Sequence, residues 1–185
     1  HLNEPLYETT DDSFNIKNEP FKIDEETIKL HEETIDQYDN KRILVLCGQN
    51  SNQHILNPSL SEFNNNTNVV VLNENTSHLN DSTFIHCIDR TLNSISPEEE
   101  KQFAPDILIT IGDAIVSKRI KAFFIKYRPE RHIAVNYSDI GIDTYNCLNE
   151  HYKSDPATFF KLLNQSSIQR NTINFEAKWR SKDLI

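Results

Sequence analysis

Four short, almost unbroken apolar runs constrain this chain most: RILVLC (Arg42–Cys47), NVVVLN (Asn68–Asn73), DILITI (Asp106–Ile111) and HIAVN (His132–Asn136). A strand exposed on one face alternates apolar and polar residues, whereas a strand covered on both faces has no polar side to show. Solid runs of this length therefore predict strands buried between two layers. Stretches of helical spacing lie between them. That alternation predicts an α/β domain with a doubly wound, mostly parallel sheet and helices on both faces.

Capping and spacing set the helical expectations. Asp24, with Glu25 and Glu26 in the favourable first turn, opens a helix to about Tyr38, placing Ile28, Ile35 and Tyr38 on one side. Ile55, Leu56, Leu60 and Phe63 have helical spacing, and Pro58 predicts a break or restart among them. A helix is expected over Ser82–Ile95, with Phe84, Ile88 and Leu92 on one face, and Ser96-Pro97 before three glutamates starts a short one. Further helices are expected over Ser117–Tyr127 and from Ser154-Asp155-Pro156 through Leu163. TYNCLN (Thr144–Asn149) reads as a short fifth strand, and Ile173–Leu184 as a helix or an outgoing connection. Residues 1–22 are polar and acidic with no sustained period, which predicts an extended linker from a preceding domain. Residues 23–165 then form a central domain, and 166–185 a tail or linker towards a following one.

At 185 residues, with 37% hydrophobic and 25% charged, the chain can bury one core. Its net charge of -9 argues against a general nucleic-acid binder, which needs a basic face for phosphates. No apolar run approaches the roughly 20 residues that span a bilayer, and the first residues have neither the cationic start nor the apolar stretch of a signal peptide. A cytoplasmic location is expected. Three widely spaced cysteines predict no disulfide framework. The chain contains no methionine and begins at His1, so a piece of a longer protein is expected.

The motifs narrow the chemistry. With three glycines in all, no G-x-G-x-x-G can be written. GDAIVSKR (Gly112–Arg119) has the spacing of the phosphate loop G-x-x-x-x-G-K-[ST], but Ser117 stands where the second glycine must let the backbone curl, and Arg119 where a magnesium-binding hydroxyl belongs. Metal spacing is absent: the histidines are scattered, and adjacent His86 and Cys87 read as one exposed and one buried residue of a helix. What remains is Ser117-Lys118-Arg119. The positive end of a helix repels cations, so a Lys-Arg pair in a first turn calls for an anion. One reading is a hydroxyl N-cap followed by two solvated cations, at a penalty of only about 0.3–1 kcal/mol. The other joins free backbone N–H groups, an ammonium and a guanidinium into a carboxylate or phosphate site at the carboxyl edge of the sheet.

Taken whole, PDILITIGDAIVSKRIKAFF (Pro105–Phe124) resembles the middle domain of the MenD family, the thiamine-diphosphate-dependent 2-succinyl-5-enolpyruvyl-6-hydroxy-3-cyclohexene-1-carboxylate (SEPHCHC) synthases. HLNEPLYE (His1–Glu8) resembles the end of the amino-terminal pyrimidine-binding domain of such enzymes, and VVVLNENTSHL (Val69–Leu79) the strand and loop that precede the S-K-R segment. The resemblance implies a Rossmann-like central domain of a full-length transferase of menaquinone biosynthesis. That enzyme decarboxylates 2-oxoglutarate on thiamine diphosphate, with magnesium, and adds the succinyl unit to isochorismate. It implies that Lys118 and Arg119 help bind a substrate carboxylate, and that Ser117 caps their helix and orients them. The glutamate that activates the cofactor, and the diphosphate and magnesium ligands, belong to the flanking domains. No catalytic, cofactor-binding or metal-binding residue is therefore expected here, and Asp113 is expected to be a turn residue. The chain alone is expected to be inactive, and the full-length enzyme to be a homodimer or homotetramer that binds neither nucleic acid nor membrane. A rival expectation is a regulatory or structural central domain that holds a nucleotide, FAD or ADP. A third is a plain spacer.

Overall fold

Each of the four apolar runs forms a strand in the computed structural model, which describes Tyr38 and residues 40–49, 53–66, 68–165 and 173–183. The strands β1 (Ile43–Cys47), β2 (Val69–Asn73), β3 (Ile107–Ile111), β4 (Arg131–Asn136) and β5 (Leu148–Lys153) make one sheet in the order β2-β1-β3-β4-β5. Every pairing is parallel.

Alternate strand residues feed two separate cores. Ile43, Val45, Val71, Ile109 and Val135 face one layer, where α1 (Gln53–Asn64) supplies Leu56, Leu60 and Phe63 and α5 (Pro156–Gln165) supplies Phe159, Phe160 and Leu163. The Phe63 and Phe160 rings meet there at 5.2 Å. Leu44, Leu46, Val70, Leu72 and Leu108 face the other layer, built from α2 (Ile88–Asn93), α3 (Glu100–Phe103), α4 (Lys118–Lys126) and α6 (Phe175–Asp183). Trp179 is its central filler, with ring contacts to Phe103, Phe123 and Phe175. Burial of one such apolar side chain contributes about 1.5–3 kcal/mol, so both faces hold the strands in register. This is the doubly wound, Rossmann-like arrangement that the solid runs predict.

Several expectations are corrected in detail. Pro58 does not break α1: it lies inside the helix on its exposed side, while burial of Leu56, Leu60 and Phe63 carries the turn through. Ile55 is not part of that apolar face and is 69% exposed. The helix expected over Ser82–Ile95 is confined to α2. Before it, Asp81 Oδ1 accepts the Thr83 N–H at 2.8 Å in a turn, and Ile85 pairs with Leu72 as a parallel bridge on the open edge of β2. The fifth strand starts at Leu148 rather than at Thr144, because Tyr145 is drawn into the core, where its ring lies 5.4 Å from both Phe124 and His132. That buried tyrosine anchors the β4–β5 crossover, which contains no helix. The Asp24–Tyr38 helix lies outside the described residues except for Tyr38, which is buried.

Candidate functional site

The loops after β1, β2, β3 and β4 open on the carboxyl edge of the sheet, where parallel α/β folds place their ligands. Strand order reverses between β1 and β3, and there the two loops are stitched together by their backbones. The Gly48 N–H donates to Ile111 O at 2.9 Å, the Asp113 N–H to Gln49 O at 2.9 Å, and the Gln49 N–H to Ala114 O at 3.3 Å. Gly112 has φ of 75°, and a Cβ on it would lie 2.4 Å from Gln49 O, so this seam requires glycine. The crevice that a nucleotide's phosphates would enter is filled by loop backbone. Asp113 is a turn residue here, engaged through its backbone.

The β2 loop is tied to the same seam, since the Glu74 N–H donates to Cys47 O at 3.1 Å. Buried Asn73 holds the loop from within. Its amide donates to Leu79 O at 2.9 Å and lies 3.0 Å from His86 Nδ1, while its oxygen accepts the Ser77 hydroxyl. His86 Nε2 faces the Asp81 carbonyl at 2.9 Å; a carbonyl only accepts, so the proton sits on Nε2 and Nδ1 accepts from Asn73. Both ring nitrogens thus serve the loop. His86 is half-buried and Cys87 exposed, ahead of α2 rather than on it, which corrects the expected buried and exposed pair. Among the described residues, no group of three or more His, Cys, Asp or Glu side chains could hold a metal ion.

At the start of α4, Ser117 is the N-cap, with its Oγ accepting the Ile120 N–H at 3.1 Å. Two carboxylates also converge on this serine. Glu74 Oε1 accepts the Ser117 N–H at 2.8 Å, and Asp89 Oδ1 accepts its hydroxyl. The positive end of α4 is thereby met by two anions of the protein itself, which answers the electrostatic puzzle of the Lys-Arg pair. Ser117 reaches a cleft of about 320 Å³ at the carboxyl edge, shared with Asn73, Glu74, His86, Asp89 and Val116. Lys118 and Arg119 line no part of it. Arg119 is exposed, bonds Asn93 Oδ1 through Nη1, and borders an outer groove of about 230 Å³ with Leu92, Glu100, Phe123 and Lys126. Lys118 is exposed and has no polar partner among the described residues.

Sequence reasoning passed over His132. Only 1% exposed, it lies beneath a cleft of about 380 Å³ between the β3–α4 loop and the β4–β5 crossover. Its Nε2 pairs with Thr110 Oγ1 at 2.9 Å, and its Nδ1 has no partner among the described residues. Burial pushes its pKa down to about 4, against a weaker upward pull from Asp143, so the ring is neutral at pH 7. A histidine inside a strand run was the available signal.

No family model matches the chain. Over 174 residues, 87% of this chain, it is 35% identical to the 2-succinyl-5-enolpyruvyl-6-hydroxy-3-cyclohexene-1-carboxylate synthase of Flavobacterium psychrophilum. It is 41% identical over 81 residues, 44% of the chain, to the protein of the same name from Flavobacterium johnsoniae, and 31% identical over 125 residues, 68% of the chain, to that from Desulfotalea psychrophila. The matched region spans 30%, 14% and 23% of these three relatives.

Proposed function

From the chain's membership of the SEPHCHC synthase family, of which it matches about 30% of one relative's length, we propose that it serves as the central α/β domain of such an enzyme. The full-length enzyme would decarboxylate 2-oxoglutarate on thiamine diphosphate and join the succinyl unit to isochorismate, as a cytoplasmic homo-oligomer. In this reading, residues 1–22 lead in from a preceding domain, 23–165 form the central domain, and 166–185 lead towards a following one. The observation that carries the proposal is the relationship across 87% of the chain, read together with a Ser-Lys-Arg first turn at the carboxyl edge of a parallel sheet.

Within that enzyme, Lys118 and Arg119 receive a substrate carboxylate. Guanidinium and carboxylate pair through two parallel hydrogen bonds, and the ammonium adds a second charge. An exposed pair suits this task, because its partner must come from outside the chain. The diphosphate and magnesium do not fit here. The loop seam fills the crevice at the strand-order reversal, and the acidic residues nearest α4, Glu74 and Asp89, are engaged with Ser117. Both groups are therefore held elsewhere in the enzyme, where thiamine diphosphate supplies the carbanion equivalent, and this chain by itself is inactive.

The test is kcat/KM for 2-oxoglutarate and for isochorismate in full-length wild type and Arg119→Ala, with melting compared. Loss of a charged bidentate contact costs about 1.5–3 kcal/mol, or one to two orders of magnitude in kcat/KM for the substrate it holds. Ratios that both stay within about twofold would refute the assignment.

A further inference from the structure

We infer that Glu74 and Asp89 are positioning residues for the Lys118–Arg119 pair, which deepens the function proposed above and rests on it. The argument starts from Ser117. A serine that merely caps a helix needs one bond, the one its Oγ accepts from Ile120 N–H. Ser117 makes two more: its N–H donates to Glu74 and its hydroxyl donates to Asp89. The two carboxylates come from different elements, Glu74 from the loop after β2 and Asp89 from α2. Together with the bond to Ile120, they fix the residue immediately before Lys118 from three directions. One bond would leave α4 free to turn about its axis; three set the direction in which its first turn presents Lys118 and Arg119.

Both carboxylates are themselves held. Glu74 is bonded through its backbone to Cys47 and follows Asn73, whose amide and oxygen are all engaged. Asp89 sits on α2, where Thr91 and Ser94 bond Asp183 Oδ1 and Lys182 O at 3.1 Å each, so α6 braces that helix. Asn93, one turn after Asp89 on α2, holds the Arg119 guanidinium. Glu74 also occupies an N–H at the positive end of α4, so an incoming carboxylate is read by the two side chains and not by the helix terminus.

The experiment uses the full-length enzyme, with KM and kcat for each substrate in Glu74→Ala, Glu74→Gln, Asp89→Ala, Asp89→Asn and Arg119→Ala, and in Glu74→Ala combined with Lys118→Ala/Arg119→Ala. The expected result is that the two alanine variants raise KM roughly tenfold for the substrate that Arg119→Ala affects, with kcat within twofold and melting unchanged. The amide variants, which keep an oxygen to accept from Ser117, recover most of that loss. In the Lys118→Ala/Arg119→Ala background, Glu74→Ala adds nothing, because it acts through the pair. The inference is overturned if Arg119→Ala raises KM while the carboxylate variants do not, or if Glu74→Ala lowers kcat for both substrates and adds its full loss in the double-alanine background. If Arg119→Ala itself has no effect, it is the proposed function that fails.

Discussion

His132 offers the sharpest test of the fold, because its burial translates into a pH dependence of known sign. The unfolded imidazole titrates near 6.5, and burial on β4 lowers the folded value to about 4. As pH falls from 7 to 5, the unfolded chain takes up nearly one proton at this residue and the folded one almost none, so protonation favours unfolding. Stability contributed by the neutral ring is fully present above about pH 6.5 and lost towards pH 4; integration between pH 7 and pH 5 gives about 2 kcal/mol. For a domain of this size that is a fall in Tm of about 4–8 °C. Because carboxylates also titrate in acid, the assay is a difference: thermal unfolding of wild type and of His132→Gln at pH 7, 6 and 5. Glutamine still offers Thr110 a hydrogen-bonding partner and does not titrate. The variant should lose about 2 kcal/mol less than wild type over that interval. Parallel pH profiles would refute the reasoning, since they would mean that His132 titrates alike in both states.

Two further substitutions probe the packing. Trp179→Ala removes the largest fully buried side chain, which touches Phe103, Phe123 and Phe175, and should cost about 3–5 kcal/mol in denaturant unfolding; a cost under about 1 kcal/mol would mean that α6 does not close the second core. Gly112→Ala places a methyl against Gln49 O on a residue at positive φ, and should lower the unfolding midpoint by at least about 1–2 kcal/mol. An unchanged midpoint would show that the seam yields.

Strands β1 to β4 were legible because burial on both faces leaves nothing polar to interrupt the run. β5 was not, since LNEHYK is an edge strand with one buried residue, Tyr152. Its neighbour Tyr145 looked strand-like only because it is a core plug. Phe84 and Ile85 have helical spacing with Ile88, but the open edge of β2 offered backbone pairing and won. At the candidate site, the N-cap was legible from Ser117 and its neighbours, because capping is a local matter. Glu74 and Asp89 were not, as they lie 43 and 28 residues from Ser117 in the chain and only the strand order brings them together. The demand for an anion was readable from Lys118 and Arg119; that the protein meets it partly from within was not.

The stitched loops between β1 and β3 also bear on how this domain could change its trade. In sheets of this form a new nucleotide site usually asks only for a glycine-rich turn at the strand-order reversal. Here that place is a weld: three backbone hydrogen bonds cross it, and the single residue that permits the closest approach, Gly112, is also the one that keeps it shut. No lone substitution opens such a joint, because backbone groups, unlike side chains, cannot be mutated away. Conversion to nucleotide binding would require both loops to be rebuilt at once, whereas the outward-facing first turn of α4 can be re-specified one side chain at a time.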